Sequence, residues 1–222
     1  MNRSLAIVAL IVGTASACSS DTTTSPQTTL PAAPAPTAER CLVMLHGKGG
    51  GGGPTTLDEN GVARIAPNGN QPDGSGRKWI YFPEDEFVAA TAIVRDAIEA
   101  SACQQVILSG FSNGGAFVGK LYCRGERFSD TVVGFVVDDP VPDAATENCA
   151  PAAGTTVSLV WTGGLAGTAK PGWNCSDGGW ICEGGETVGI DAYAAAMGAP
   201  ITPSPFSDHT YWADNPALTA WP

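Results

Sequence analysis

Residues 110–114 read Gly-Phe-Ser-Asn-Gly, a serine framed by glycines in the spacing G-x-S-x-G, and the strand-like text "QVILS" (105–109) runs straight into it. A serine on a tight turn between a strand and a helix has its hydroxyl held out for nucleophilic attack. With 28 glycines in 222 residues the pattern is a weak signal alone, and its surroundings must decide. A hydroxyl is a poor nucleophile and needs a base. The chain has two histidines, His46 and His209, and in the order serine, acid, histidine only His209 follows Ser112. Its competing reading is a plain loop histidine. His46 suits a different task. "LHGKGGGGGP" (45–54) ends an apolar run in His-Gly and a glycine stretch, which brings bare backbone N–H groups to the rim where Ser112 lies. The N–H groups of Lys48 and Asn113 are the expected oxyanion donors; removing one such donor typically costs about 2.7–4 kcal/mol of transition-state stabilisation. The glycine run reads alternatively as a flexible linker.

The base needs a carboxylate to fix its tautomer. Asp177 is the expected acid, because it follows the strand-like stretch 156–161 and sits in a loop that Cys175 and Cys182 would close. Asp138 and Asp139 are the alternatives; they end the preceding strand-like stretch 131–137 and, with Pro140, also suit ordinary turn chemistry. Asp191 falls on a helical stretch, and Asp208 adjoins His209 too directly to orient it. No metal or cofactor is expected. Two histidines with separate roles leave no ligand cluster, and the phosphate-loop spacing G-x-x-x-x-G-K-[ST] is absent.

These residues need a scaffold. "CLVML" (41–45), "GVARIAP" (61–67), "QVILS" (105–109), "TVVGFVV" (131–137) and "TVSLVW" (156–161) are short apolar runs of the kind buried on both faces of a sheet. Helical spacing appears over 87–102, 113–123 and 187–198, the last closed by a glycine, and 68–79 reads as a polar loop. Strands alternating with helices mean βαβ units and a parallel sheet. The expectation is a three-layer α/β sandwich of five or six strands, with Ser112 at the carboxyl end of a central strand, where open α/β sheets bind ligands. An accessory disulfide loop is expected over 172–185. Trp79, Tyr81 and Phe82 read equally as a substrate wall or as core aromatics.

"LVMLHGKGG" (42–50), "ARIAPNG" (63–69) with the following Trp79, and "VILSGFSNGGAFVGKLYC" (106–123) resemble the polyhydroxybutyrate-depolymerase and feruloyl-esterase-like lipoproteins of the α/β-hydrolase superfamily. The resemblance covers most of residues 41–165. It implies an α/β-hydrolase domain and a secreted serine esterase with a Ser-Asp-His triad, Ser112 matching the nucleophile and His209 the base by order. The domain is small and has no stretch long enough for a separate lid, so a minimal, lidless site is expected, suited to small soluble esters or to the chain ends and surfaces of polymers. The chain departs from the family at the acid, where "VWTGGLAGTAKPGWNCSDGG" delays the first aspartate to Asp177. An amidase or peptidase would use the same triad, and a non-catalytic binding module on the same scaffold is the competing class, since fold alone does not fix function.

The N-terminal text is of another kind. Arg3, the apolar run "LAIVALIVG" (5–13) and the small residues of "TASAC" (14–18) have the layout of an export signal, too short to span a bilayer. Residues 1–17 are read as that signal, 18–40 as a Ser/Thr/Pro/Ala-rich tether and 41–222 as the hydrolase domain. Cys18 follows Ala15-Ser16-Ala17 as the acylated cysteine of a lipobox would, with simple cleavage after Ala17 as the alternative. Lipidation of Cys18 leaves six cysteines. Cys41 and Cys103 each precede strands expected to be neighbours, Cys123 ends the helix after Ser112 and Cys149 precedes the next strand, and Cys175 and Cys182 close a local loop. The pairs expected are 41–103, 123–149 and 175–182. With 22 acidic against 11 basic residues and no basic stripe, nucleic acid and anionic membrane are not partners; contact with a membrane is expected through the lipid alone, and the protein as a monomer.

Overall fold

The computed structural model describes residues 38–163, 170–174 and 186–222. Its organising feature is a seven-stranded sheet in the order β11 (Ile201–Pro203), β8 (Thr156–Trp161), β7 (Val132–Asp138), β6 (Gln105–Phe111), β1 (Arg40–Leu45), β3 (Ala63–Ala66), β2 (Gly53–Leu57). All neighbours run parallel except β2 and β3. The apolar runs fall where their composition demands, in β1, β6, β7 and β8 at the middle of the sheet. Seven strands exceed the five or six expected, and two of them, β2 and β11, match none of the apolar runs. Both lie at edges and carry little pattern: β2, GPTTL, is exposed throughout, and β11 has three residues. The stretch 68–79 is not a plain loop, since β4 (Gln71–Asp73) and β5 (Gly76–Lys78) form a hairpin within it. A second ribbon pairs β9 (Pro171–Asn174) with β10 (Glu186–Val188).

Helix α1 (Glu84–Ala100) starts three residues before its apolar spacing does. Pro83 holds the extended entry, and Glu84, Asp85 and Glu86 complement the positive end of the helix. Helix α2 (Asn113–Cys123) follows β6 with one residue between them. Helix α3 (Ile190–Met197) starts later than the expected 187, because Glu186–Val188 are engaged in β10, and stops at Gly198 in the left-handed conformation.

Alternate residues of each strand face opposite ways. Cys41, Val43, Leu45, Val106, Leu108, Phe135 and Val137 point to the face where all three helices pack. Leu42, Ile107 and Val136 point to the other face, with Met44 and Val133 beside them. Among the described residues, the C-terminal segment packs there through Tyr211, Ala217, Trp221 and Leu218, the last on a single 3-10 turn over Pro216–Thr219. Among the described residues no helix is long and apolar enough to cross a membrane. Cys41 is bonded to Cys103 and Cys123 to Cys149, with Cα separations of 5.8 and 4.2 Å. The expected pair Cys175–Cys182 and the expected lipidation site Cys18 lie outside the described residues.

Candidate active site

Ser112 makes the whole turn from β6 into α2 by itself, at φ 55° and ψ −118°. A non-glycine residue in such a conformation costs of order 1–3 kcal/mol and persists only where its surroundings impose it. They do so here. The Ser112 N–H donates to the Asp138 carbonyl at 3.0 Å, and its carbonyl accepts from Ala116 N–H at 2.9 Å. The flanking glycines follow from the tightness of the turn. A Cβ on Gly110 would lie 2.3 Å from the Gly114 carbonyl oxygen, and one on Gly114 would lie 2.3 Å from that of Leu45. The first turn of α2 is thus pressed against both β6 and β1. Asn113 secures the same junction: its side chain accepts from Trp79 N–H at 2.7 Å and donates to the Trp79 carbonyl at 3.0 Å. The Asn113 N–H belongs to the first turn of α2, where helical N–H groups have no acceptor within the helix.

The glycine stretch after β1 is held in a defined path rather than strung as a linker. Gly50 N–H donates to the Gly47 carbonyl at 3.0 Å, closing a tight turn with Gly49 at φ 75°. Gly49 N–H donates to the Arg77 carbonyl at 2.9 Å, and Arg77 N–H to the Gly50 carbonyl at 2.6 Å, so the turn is pinned to β5. Lys48 sits inside this turn. Gly47 faces the elbow so closely that a Cβ there would be 3.2 Å from the Ser112 Cβ. His46 clips the loop from below. Its Nε2 accepts from Gly69 N–H at 3.0 Å, which assigns the proton to Nδ1, 2.8 Å from the Gly47 carbonyl oxygen. Burial, with the nearby Arg77 charge, lowers the pKa of His46, so the neutral ring is the form the site keeps.

His209 lies in an irregular segment after β11. Its Nδ1 is hydrogen-bonded to Oδ2 of Asp139, and its ring stacks on Phe111, the residue before Ser112, at 4.4 Å between centroids. Asp139 is fully buried and leaves β7 at φ 43°. Thr162 N–H donates to its Oδ1 at 3.0 Å, and the Thr162 hydroxyl to its Oδ2 at 2.7 Å. The carboxylate that meets His209 among the described residues is therefore one of the pair at the end of β7. Asp177, the expected acid, lies outside the described residues. Asp138, also fully buried, serves the backbone of the same segment: its Oδ2 accepts from Trp212 N–H at 2.7 Å, while Oδ1 is buried without a hydrogen-bond partner. Burial raises the Asp138 pKa to about 6; the Trp212 bond and the charge of His209 oppose that rise, and the charge of Asp139 adds to it.

Thr162 and Trp212 had no signal in the sequence beyond lying next to a strand end and to the histidine segment. Trp79 and Tyr81 take the core reading. Both are fully buried, stacked on Phe117 at 5.2 and 5.5 Å, and the Tyr81 hydroxyl donates to Asp143 at 2.8 Å. Phe82 is half-buried and packs against the same cluster.

No family model matches the chain, and no curated protein matches it in sequence. Among solved structures, the carboxylesterase of Bacillus cereus superposes with a TM-score of 0.50 at 17% identity, over 80% of this chain and 84% of that one. The carboxylesterase of Mesorhizobium loti gives 0.47 at 16% identity, over 82% and 86%. At such identity the likeness is one of architecture. Together with the mostly parallel sheet and its helices, it gives this chain a compact α/β-hydrolase fold.

Proposed function

We propose that this protein is an exported serine carboxylic-ester hydrolase working through an acyl-enzyme, with Ser112 as nucleophile, His209 as base and Asp139 as the acid. The observation that carries this reading is the hydrogen bond from half-buried His209 to fully buried Asp139, with the His209 ring stacked on Phe111 beside a serine in a strained elbow. With Nδ1 committed to Asp139, Nε2 takes the Ser112 proton as Oγ bonds to the ester carbonyl carbon. The carbonyl π electrons move onto oxygen, and the N–H groups of Lys48 and Asn113 receive that charge. The positive end of α2 favours the anion at the same place. Collapse breaks the C–O bond to the alcohol, which leaves with the proton from Nε2. Water, deprotonated by the same nitrogen, then attacks the acyl carbon; the C–Oγ bond breaks, the proton on Nε2 returns to Ser112 Oγ, and the acid is released. Asp139 keeps its charge throughout and offsets that of the transient imidazolium.

A fluorophosphonate probe tests the nucleophile. It is expected to label the wild-type chain and to leave Ser112→Ala unlabelled, with hydrolysis of p-nitrophenyl acetate lost in parallel. Undiminished labelling of the alanine variant would refute the mechanism, and faster turnover of the matching anilides than of the esters would make the enzyme an amidase. Export is supported by the apolar leader text and by two disulfides, which persist in oxidising compartments. Cys18 is proposed as the lipid-bearing residue. Intact-mass analysis of the membrane-purified protein should find a diacylglyceryl adduct that Cys18→Ser removes; an unmodified Cys18 would rule the anchor out.

A further inference from the structure

A cavity of about 270 Å³ opens beside the elbow, between the carboxyl ends of β1, β3 and β6 and the segment that carries His209. Met44, Ala66 and Phe111 line it, Gly47 forms part of its rim, and Ser109 and Tyr211 supply the hydroxyls in its lining, 3.5 Å apart. Its ionisable members are the neutral, doubly engaged His46 ring and the Tyr211 phenol, whose pKa burial raises further. Neither carries charge near neutral pH. Two residues of the lining adjoin Ser112 and His209, which themselves lie outside it. Phe111 is the neighbour of Ser112 and stacks on His209, and Gly47 packs against Ser112. A pocket of this composition gains by excluding water from an apolar group and loses by admitting a charged one.

We infer that this cavity is the subsite for the apolar substituent of the substrate ester, and that Met44, Ala66 and Tyr211 set its length. The inference rests on the ester-hydrolase reading given above and names the substrate class within it. A cavity of about 150 Å³ accommodates benzene, so this volume holds roughly one phenyl ring with a short linker, or a linear chain of about six to eight carbons. Each methylene that enters removes apolar surface from water and is expected to raise kcat/KM about fourfold, until the chain outgrows the cavity. An anionic substituent gains nothing there and is turned away by the chain's net charge of −11 as well.

The test uses the purified full chain with two substrate series, p-nitrophenyl esters of acids from acetate to dodecanoate with benzoate and hemisuccinate, and acetate esters of alcohols of increasing length. In the series whose varied group enters the cavity, kcat/KM should climb to an optimum near six to eight carbons and then fall, with hemisuccinate a poor substrate. Ala66→Leu fills the cavity and should move the optimum to chains two or three carbons shorter. Met44→Ala enlarges it and should move the optimum to longer chains. Opposite displacement by two variants is a result that general loss of folding cannot imitate. Flat profiles in both series, a preference for hemisuccinate, or an optimum that neither variant moves, in protein still labelled by fluorophosphonate at Ser112, would overturn the inference and leave the catalytic reading standing. Absence of labelling in the wild type would overturn both.

Discussion

A carboxylate that orients a catalytic histidine must hold one tautomer and offset a charge that exists only in passing, so it is best buried, ionised and surrounded by donors. Asp139 is fully buried and surrounded by Thr162 N–H, the Thr162 hydroxyl and His209 Nδ1. Asp139→Asn preserves the volume but puts an amide where the imidazole N–H must donate. It is expected to lower kcat by about 10⁴, as such a change does in the best-studied serine protease, whereas Asp177→Asn should stay within about threefold of wild type. Turnover of p-nitrophenyl acetate at pH 7, with circular dichroism to verify folding, checks both. Collapse of the Asp177 variant together with a mild Asp139 effect would return the acid to the loop after β8. The tight strand-to-helix turn at Ser112 was legible because the spacing of its glycines is dictated by sterics. The aspartate that meets His209 was named only as one of two alternatives. Two adjacent aspartates end β7, and the text does not say that Asp138 continues the strand's alternation while Asp139 turns away from it at φ 43°.

Residues 204–215, which carry His209, contain no helix or strand, so their placement depends on individual bonds. Asp138 Oδ2 to Trp212 N–H is one, Ser204 N–H to the Trp161 carbonyl at 3.1 Å is another, and Asn215 caps the 3-10 turn that follows. Such a segment has no apolar period, and neither has the hairpin β4–β5 that pins the glycine turn. Sequence periodicity therefore found β1, β6, β8 and α2 and passed over the elements held by backbone bonds. Keeping Asp138 buried has a cost that pH reveals. Its pKa in the folded chain, about 6, stands above the ordinary 3.8, so the folded state holds this proton more readily than the unfolded one. The stabilisation that follows is complete below about pH 4 and is lost as pH rises through about 6. Asp138→Asn retains an acceptor for Trp212 N–H and removes the buried charge. It should raise stability at pH 8 by on the order of 1–3 kcal/mol and change little at pH 4, read as urea midpoints. Asp138→Ala loses the anchor as well and should lower both stability and kcat. An equal gain for the asparagine variant at both pH values would show that ionisation is not the cause.

At the scale of the molecule, among the described residues three helices pack on one face of the sheet and Val62 with residues 211–221 on the other. Two disulfides add covalent links to this packing. Cys41–Cys103 closes 62 residues and ties the start of β1 to the approach to β6, its parallel neighbour; Cys123–Cys149 closes 26 and ties the end of α2 to the segment before β8. Loop-closure entropy scales with the logarithm of the enclosed length, giving about 4.3 kcal/mol for the first and about 3.5 kcal/mol for the second. The two together are comparable with the whole stability of an ordinary domain, about 5–15 kcal/mol. Replacing both cysteines of the 41–103 pair with alanine should therefore lower the urea midpoint more than replacing those of the 123–149 pair. Reducing both bonds in wild type should bring unfolding close to 37 °C and abolish ester hydrolysis without touching the residues proposed as catalytic. The elbow explains why activity is a sensitive reporter. Ser112 keeps its strained backbone only while β1, β6 and β7 stay in register around it, through its own bond to the Asp138 carbonyl and the close packing of Gly114 on the Leu45 carbonyl. Full activity and an unchanged melting temperature after complete reduction, with free thiols counted to prove it, would mean that the apolar core suffices and the bonds are incidental.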